Sequence, residues 1–496
     1  MSEEQQPDRR SRVFAWIVSH PKTVICASIL TFLLLLVLLF DHLAASRLER
    51  RIAAIRARGE PTCVEDLAAA MPKIPDEENM ALRIEELGEK LEAFPIPEEW
   101  NKNLPIIGLA RDTPTGRRLP PEQLEATKWY LAKFPEELEA IREALQLERG
   151  CANIKFSSPL WNTLSRSFAR SRLATRIVAL EVLVAAEDDD HDRARRCLVC
   201  LCRAKRVFEP EPFLIGSLMQ MSSVAIACNQ IERTINNCSL GEATLRSLQE
   251  EIASPRQAVD LKSAMNQERV LFIDMMLLLR TSSTVAGFSG SLPASTGTNF
   301  WRYVPILPAV DTTDGLRVYS KMVEAIDQPD AQSIQRMKTA EAGAAALPTY
   351  SVMSRTMIPR LSHVAELWVR GVGLNRALQA ALACERYRLS HGEWPADLDA
   401  LVPEYLEAVP PDPFDGKAIR YKQIPEGICV WAIGEDLIDN GGDVLRLEIP
   451  KPPRRASDFG WVLLNPELRG RPADTEEAKP QPAAASAPAE ASAIHD

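Results

Sequence analysis

A run of 18 residues without a charge, TVICASILTFLLLLVLLF at positions 23–40, constrains this chain more than any other stretch. It approaches the ~20 residues that carry a helix across the hydrocarbon core of a bilayer. A buried helix of a water-soluble protein would keep a polar stripe, and this run has none. It therefore predicts a membrane anchor over 23–42, held in the lipid bilayer. A cleavable signal peptide is the alternative, with Ala44 and Ser46 as small residues near a cut. Signal peptides carry a shorter apolar segment of ~7–15 residues, so the anchor is expected to stay. Arg9, Arg10, Arg12 and Lys22 precede the run, while Arg47, Arg50, Arg51, Arg56 and Arg58 follow it. The basic bias that orients spans is thus balanced and does not fix the direction. By analogy with signal-anchors, the tail at 1–22 is expected inside. The protein is then a single-pass protein of the cytoplasmic membrane with the bulk of the chain extracytoplasmic. Beyond the anchor, Leu48, Ile52 and Ile55 share a face opposite the arginines, which predicts a juxtamembrane helix over 43–62.

The remaining length of the 496-residue chain has room for two or three domains. A net charge of −10 argues against a general nucleic-acid binder, which would show a basic face. Residues 63–370 read as one α-helical domain. Asp76 is placed to cap a helix running to Phe94, with Pro95 and Pro97 ending it. Pro121 and Pro135 each lead a further helix. The strongest pattern runs from Pro159 to Ala186, with apolar residues at three- and four-residue steps. An acidic turn, EDDDHD, follows, and His191 to Phe208 returns. Such a hairpin resembles a single tetratricopeptide unit, although no 34-residue period repeats. Further helices are expected at Pro212–Asn236, Gly241–Ala253, Pro255–Arg280, Thr313–Ile326 and Asp330–Ala345, and another stretch from Met357 to Arg370 leads into the last module. The apolar LFIDMMLLLR is too short and, with Asp274 inside it, too charged for a second span. A Ser/Thr/Gly-rich loop is expected over 281–308.

Familiar catalytic motifs are missing: there is no H-E-x-x-H, no phosphate-binding glycine loop and no paired histidines. The cysteines in RRCLVCLCRAK lack a second pair that would complete a zinc site. Their apolar neighbours point to core packing. GFSGS at Gly287 lacks the last glycine of a nucleophile elbow. One stretch near the end does suggest chemistry. GEDLIDNGGD, from Gly434 to Asp443, holds three aspartates and two adjacent glycines. Carboxylates and inward carbonyls are the donors that Ca²⁺ prefers. From composition alone, a solvated Asp/Asn/Gly hairpin turn is the simpler reading of the same residues.

The order of features around this loop narrows the choice. Gly392-Glu393-Trp394-Pro395 follows a long helix, and Leu398 to Leu401 comes next. Val409-Pro410-Pro411-Asp412-Pro413-Phe414 makes a turn, and Ile419-Arg420-Tyr421 starts a strand. Val430 to Asp436 then leads into Gly441-Gly442-Asp443. This stretch resembles the C-terminal part of the major pseudopilin of type II secretion systems. The resemblance implies a small α+β domain with an antiparallel sheet over 371–450. It also implies a Ca²⁺ held by Asp436, Asp443 and the Ile433 carbonyl, with Asp439 an additional ligand. A pseudopilin, however, starts with a basic leader ending in Gly and has Glu at the fifth position of its apolar helix. This chain has no Gly before Gly59 and no Glu between Glu4 and Glu49. About 330 residues also separate anchor from head, so packing into a pseudopilus is not expected.

The fold class expected is therefore mainly α: one transmembrane helix, a helical domain of hairpins, and a small α+β head. The tail at 451–496, poor in aromatics and rich in Ala and Pro toward its end, is expected to be mostly disordered. The function expected is a non-enzymatic anchored protein whose helical domain binds a protein partner and whose head serves structure or docking, in secretion or envelope assembly. An enzyme with its site between the helical domain and loop 281–308 is the alternative, and an atypical pilus-like subunit is a third.

Overall fold

A computed structural model of the chain describes residues 19–152, 154, 156–158, 160, 167–209, 213–281, 306–358, 360–444 and 458–473. Its first helix, α1 (Pro21–Arg56), is 36 residues long and has a proline at its first position, where no backbone hydrogen bond is lost. Ile25, Leu30, Phe32, Leu35 and Phe40 are all exposed, so the first half is apolar on every side. Mean hydropathy over its most apolar window is 2.9. Its last turns behave differently: Ala44, Leu48 and Ile55 are buried in the protein. The candidate membrane span and the juxtamembrane helix are thus one unbroken rod. A second helix, Leu214–Asn237, is also long and apolar enough to cross a membrane, but half of its window is buried inside the protein.

The main helices after α1 are α2 (Met80–Glu92), α3 (Pro121–Leu131), α4 (Pro135–Ala144), α5 (Ser167–Glu187), α6 (His191–Ala204), α7 (Leu214–Asn237), α8 (Glu242–Ala253), α9 (Leu261–Thr281), α10 (Ile306–Ala325), α11 (Ala331–Ala345) and α12 (Ser362–His391). Many starts follow from local chemistry. Pro121 and Pro135 occupy first positions of α3 and α4. Asp190 caps α6 by accepting from the Arg193 amide, and Asp330 caps α11 by accepting from Ser333. Asp76 does not cap α2 as expected. It opens a tight turn, and Asn79 accepts the Ala81 amide at 3.1 Å instead. The α10 helix begins seven residues before the expected Thr313, because Pro308 falls in its first turn and is tolerated there. The rest of the expected loop, 282–305, lies outside the described residues, as do Pro159, Pro212 and the end of the tail from 474.

Two apolar cores result. One joins α2 to α8 with the sheet. The other gathers the end of α1 with α9, α10 and α11. Helix α12 runs through both. Val364, Ala365, Trp368 and Val369 belong to the core around the end of α1, and Ala377, Leu378 and Ala380 to Cys384 to the distal one. The boundary expected at 371 therefore falls inside a continuous helix. That helix stops at Gly392, where φ is +81°, a conformation glycine adopts without a Cβ penalty.

The sheet is antiparallel, in order β1 (Arg420–Ile424), β2 (Gly427–Ala432) and β3 (Phe459–Leu464). β1 and β2 form a hairpin in which Ile424 faces Gly427 and Arg420 faces Trp431. A Cβ on Gly427 would lie 2.0 Å from the Leu463 carbonyl, so only glycine fits there. Ile428, Val430, Trp461 and Leu463 face the distal core, while Cys429, Trp431, Val462 and Leu464 pack on the opposite side. β3 comes from the region expected to be tail. Its inclusion is a correction to that expectation: FGWVLL finds cover on both faces and so folds back.

The outer edge of β3 is closed by α7. Asn236 accepts the Leu464 amide at 2.7 Å and donates to the Val462 carbonyl at 2.8 Å, while Glu232 accepts the Val462 amide at 2.9 Å. Covering an edge this way removes a template for aggregation. Asn236→Ala leaves two buried backbone groups of β3 unpaired. It is expected to lower stability by about 2 kcal/mol, read as a lower urea midpoint with unchanged slope.

Candidate functional site: a charged cleft and the acidic loop

The helical hairpin of α5 and α6 forms one wall of a cleft of about 470 Å³. The other wall is α3 and α4. Leu131, Pro135, Leu138 and Val184 are among its apolar lining residues, and Lys128, Arg142, Arg193 and Arg196 add charge. At its base Glu181 is buried in the apolar part of α5. Its Oε1 accepts from Arg193 at 3.0 Å and from Arg142. Arg142 also pairs with Glu139, and Lys128 pairs with Asp188 at 2.6 Å. Burial alone would push the Arg142 guanidinium down, yet Glu139 and Glu181 together hold it above its ordinary value. Arg196, which also lines the cleft, is exposed.

Sequence reasoning does not single out these residues, although a signal is present: Glu181 is the single charge in IVALEVLVAA, at 177–186. A carboxylate in such a run is either unpaired at great cost or matched by buried cations. The neighbouring cysteines do what their surroundings suggest. Cys197, Cys200 and Cys202 are buried free thiols, and burial pushes the Cys200 thiol up to about 11. Such thiols carry little thiolate at neutral pH and behave as small apolar groups.

The acidic loop divides its aspartates. Asp436 turns back to accept the Ile438 amide at 3.2 Å. Asp439 accepts from the Gly441 amide at 2.9 Å and from the Trp431 indole at 3.1 Å, and lies 3.4 Å from the Arg420 guanidinium. Partial burial would raise its carboxyl, but these donors hold it below the usual carboxylate range. Asp443 sits exposed at the loop's end. Ile433 is buried at the end of β2, and its amide donates to Asp412 at 2.8 Å.

Two groups outside the loop do most of the fastening. Arg420 on β1 bonds Asp412 and Asp415 as well as approaching Asp439. Asp412 is fully buried and also accepts the Phe414 amide. Burial pushes its carboxyl up, against the pull of those amides and of Arg420. Asp458, just before β3, accepts the Gly442 amide at 2.8 Å and the Asn440 amide at 3.3 Å. A guanidinium therefore stands among three carboxylates beside the loop. Among the described residues no three His, Cys, Asp or Glu side chains converge as a metal cage. Asp439 is committed to Arg420 and Trp431, so it does not fit the ligand set the resemblance implies. Comparison of the chain with family models, with curated proteins and with solved structures gives no match.

Proposed function

We propose that this protein is a non-enzymatic scaffold held in the cytoplasmic membrane by α1, with its bulk outside the cytoplasm. In this reading the helical domain docks an acidic segment of a protein partner in the cleft between α3–α4 and α5–α6. The observation that carries it is the cleft's make-up: apolar residues, ion-paired charges and an exposed arginine, unpaired among the described residues, line it together. Its charged groups bond each other, which suits a shaped surface for binding better than a proton-transfer site. The head is the pseudopilin-like part of this proposal. It presents Leu437 and Ile438, both more than half exposed, at the tip of the acidic loop, a surface for docking within a secretion or envelope assembly. Calcium belongs to the proposal with a smaller donor set, Asp436, Asp443 and the Ile433 carbonyl.

A fluorescent peptide alternating Glu with Leu tests the cleft. Binding is expected to weaken as salt rises, because exposed charges are screened. Arg196→Glu is expected to weaken it by about tenfold, the size of one lost charge-assisted contact plus a repulsion. Arg196 has no ion-pair partner among the described residues, so its reversal leaves the fold in place. Equal affinity for the two proteins, or equal affinity for a Lys-Leu peptide, refutes the docking site.

A further inference from the structure

The relation of α1 to its neighbours sets how the body meets the bilayer. Helix α10 runs parallel to α1. Arg51 on α1 lies in the fields of Asp314 and Arg317, and Arg58 lies in the field of Glu324, so the two sequences advance together. Helix α9 runs the other way. Arg269, in its first half, donates to Glu60 at 2.7 Å, beyond the far end of α1. Farther along α9, Phe272 meets Tyr319 at 5.0 Å between ring centroids and packs where a Cβ on Gly315 would clash. The end of α9 and the start of α10 therefore both point back toward the exposed apolar half of α1.

The helical rise gives the levels. Phe272 is level with Gly315, hence close to Arg51. Leu277 lies five residues further, about 7.5 Å nearer the bilayer, while Leu43 lies eight residues below Arg51, about 12 Å. Leu277 thus comes within about 5 Å of the level of Leu43, and Thr281 reaches it. The headgroup layer on each side of a bilayer is about 5–8 Å deep. Leu277 is 42% exposed and Leu43 40% exposed, while Leu278, Leu279, Ile306 and Leu307 are half-buried around them. On α1, the exposed Arg47 and Arg50 stand about 6–10 Å above Leu43, within reach of lipid phosphates. Asp274, one turn back from Leu277, is satisfied within the protein by Ser158 and the Leu160 amide.

We infer that the Thr281 end of α9 and the Ile306 end of α10 form a second contact with the bilayer, Leu277 seated among the headgroups beside Leu43. The partner is the phospholipid surface continuous with the lipid around α1. This inference rests on the anchored reading of α1, and its test separates the two.

The test uses the full chain with Cys26→Ser and Cys63→Ser, since the other eight cysteines are buried. Leu43→Cys, Leu277→Cys or Leu109→Cys is then added, labelled with bimane, and reconstituted in phosphatidylcholine vesicles carrying a doxyl quencher near the headgroup end of the acyl chain. Leu109 is 71% exposed beside the distal core and serves as the site away from lipid. Quenching at 277 is expected within about twofold of that at 43, with none at 109. Quenching at 43 but not at 277 overturns the second contact alone. No quenching at 43 overturns the anchor and the contact with it. Melting temperatures equal to the parent's show that each labelled protein is folded.

Discussion

Arg420→Met lowers the stability of the whole chain by about 3 kcal/mol or more, because it leaves the fully buried Asp412 without its guanidinium partner beside Asp415 and Asp439, and Lys417 reaches only Asp415. Removing one partner of a buried pair is far worse than replacing both, since the other charge stays where water cannot reach it. The matching variant, Arg420→Met with Asp412→Asn, is expected to recover part of the loss, and urea titration of wild type, each single variant and the double variant reads the coupling. The same titrations with Ca²⁺ and with a chelator separate the guanidinium from a metal. The Arg420→Met deficit is expected to be equal in both. A wild type that is more stable in Ca²⁺, with the difference removed by Asp436→Ala, would support an ion at the smaller donor set. Equal stability with and without chelator dismisses it.

Glu181→Ala is expected to be as damaging, at about 3–5 kcal/mol, for the opposite reason. It strips two guanidinium groups, Arg142 and Arg193, of their shared carboxylate and leaves them repelling each other at the base of the cleft. Arg142 keeps only Glu139, which is largely exposed. Glu181→Leu with Arg142→Met should be much milder, because apolar side chains of similar volume can replace a buried pair. If Glu181→Ala alone unfolds at the wild-type urea concentration, the carboxylate is not what organises the cleft. A pH series adds a second reading through Glu385. Burial would raise its carboxyl, but Arg469 and Arg388 hold it below the ordinary range. Its contribution is present above the ordinary carboxylate value and is lost as pH falls through the lowered one.

Much of the helical architecture is legible in the sequence because each signal has one local cause. The uncharged run of α1 has no use in water, and Pro121, Pro135, Asp190 and Asp330 mark helix starts through their own backbone chemistry. What escapes depends on partners distant in sequence. β3 is buried on both faces, so it shows no alternation, and a Pro- and Arg-rich stretch separates it from the other strands. The acidic loop is visible, but its fastening is not. Arg420 reads as part of a strand, and nothing local says that it gathers Asp412, Asp415 and Asp439. The sequence suggests a boundary near Gly371, whereas α12 passes straight through because both cores supply cover on either side of it.

That helix has a mechanical consequence. Its 30 residues extend about 45 Å, and each added or removed residue turns one end by about 100° against the other. Trp368 in one core and Ala381 in the other are therefore locked in phase, like two gears on a shaft. The sheet cannot swivel against the core around the end of α1 without twisting a hydrogen-bonded rod, so a push on the sheet arrives at that core as torque and not as slack.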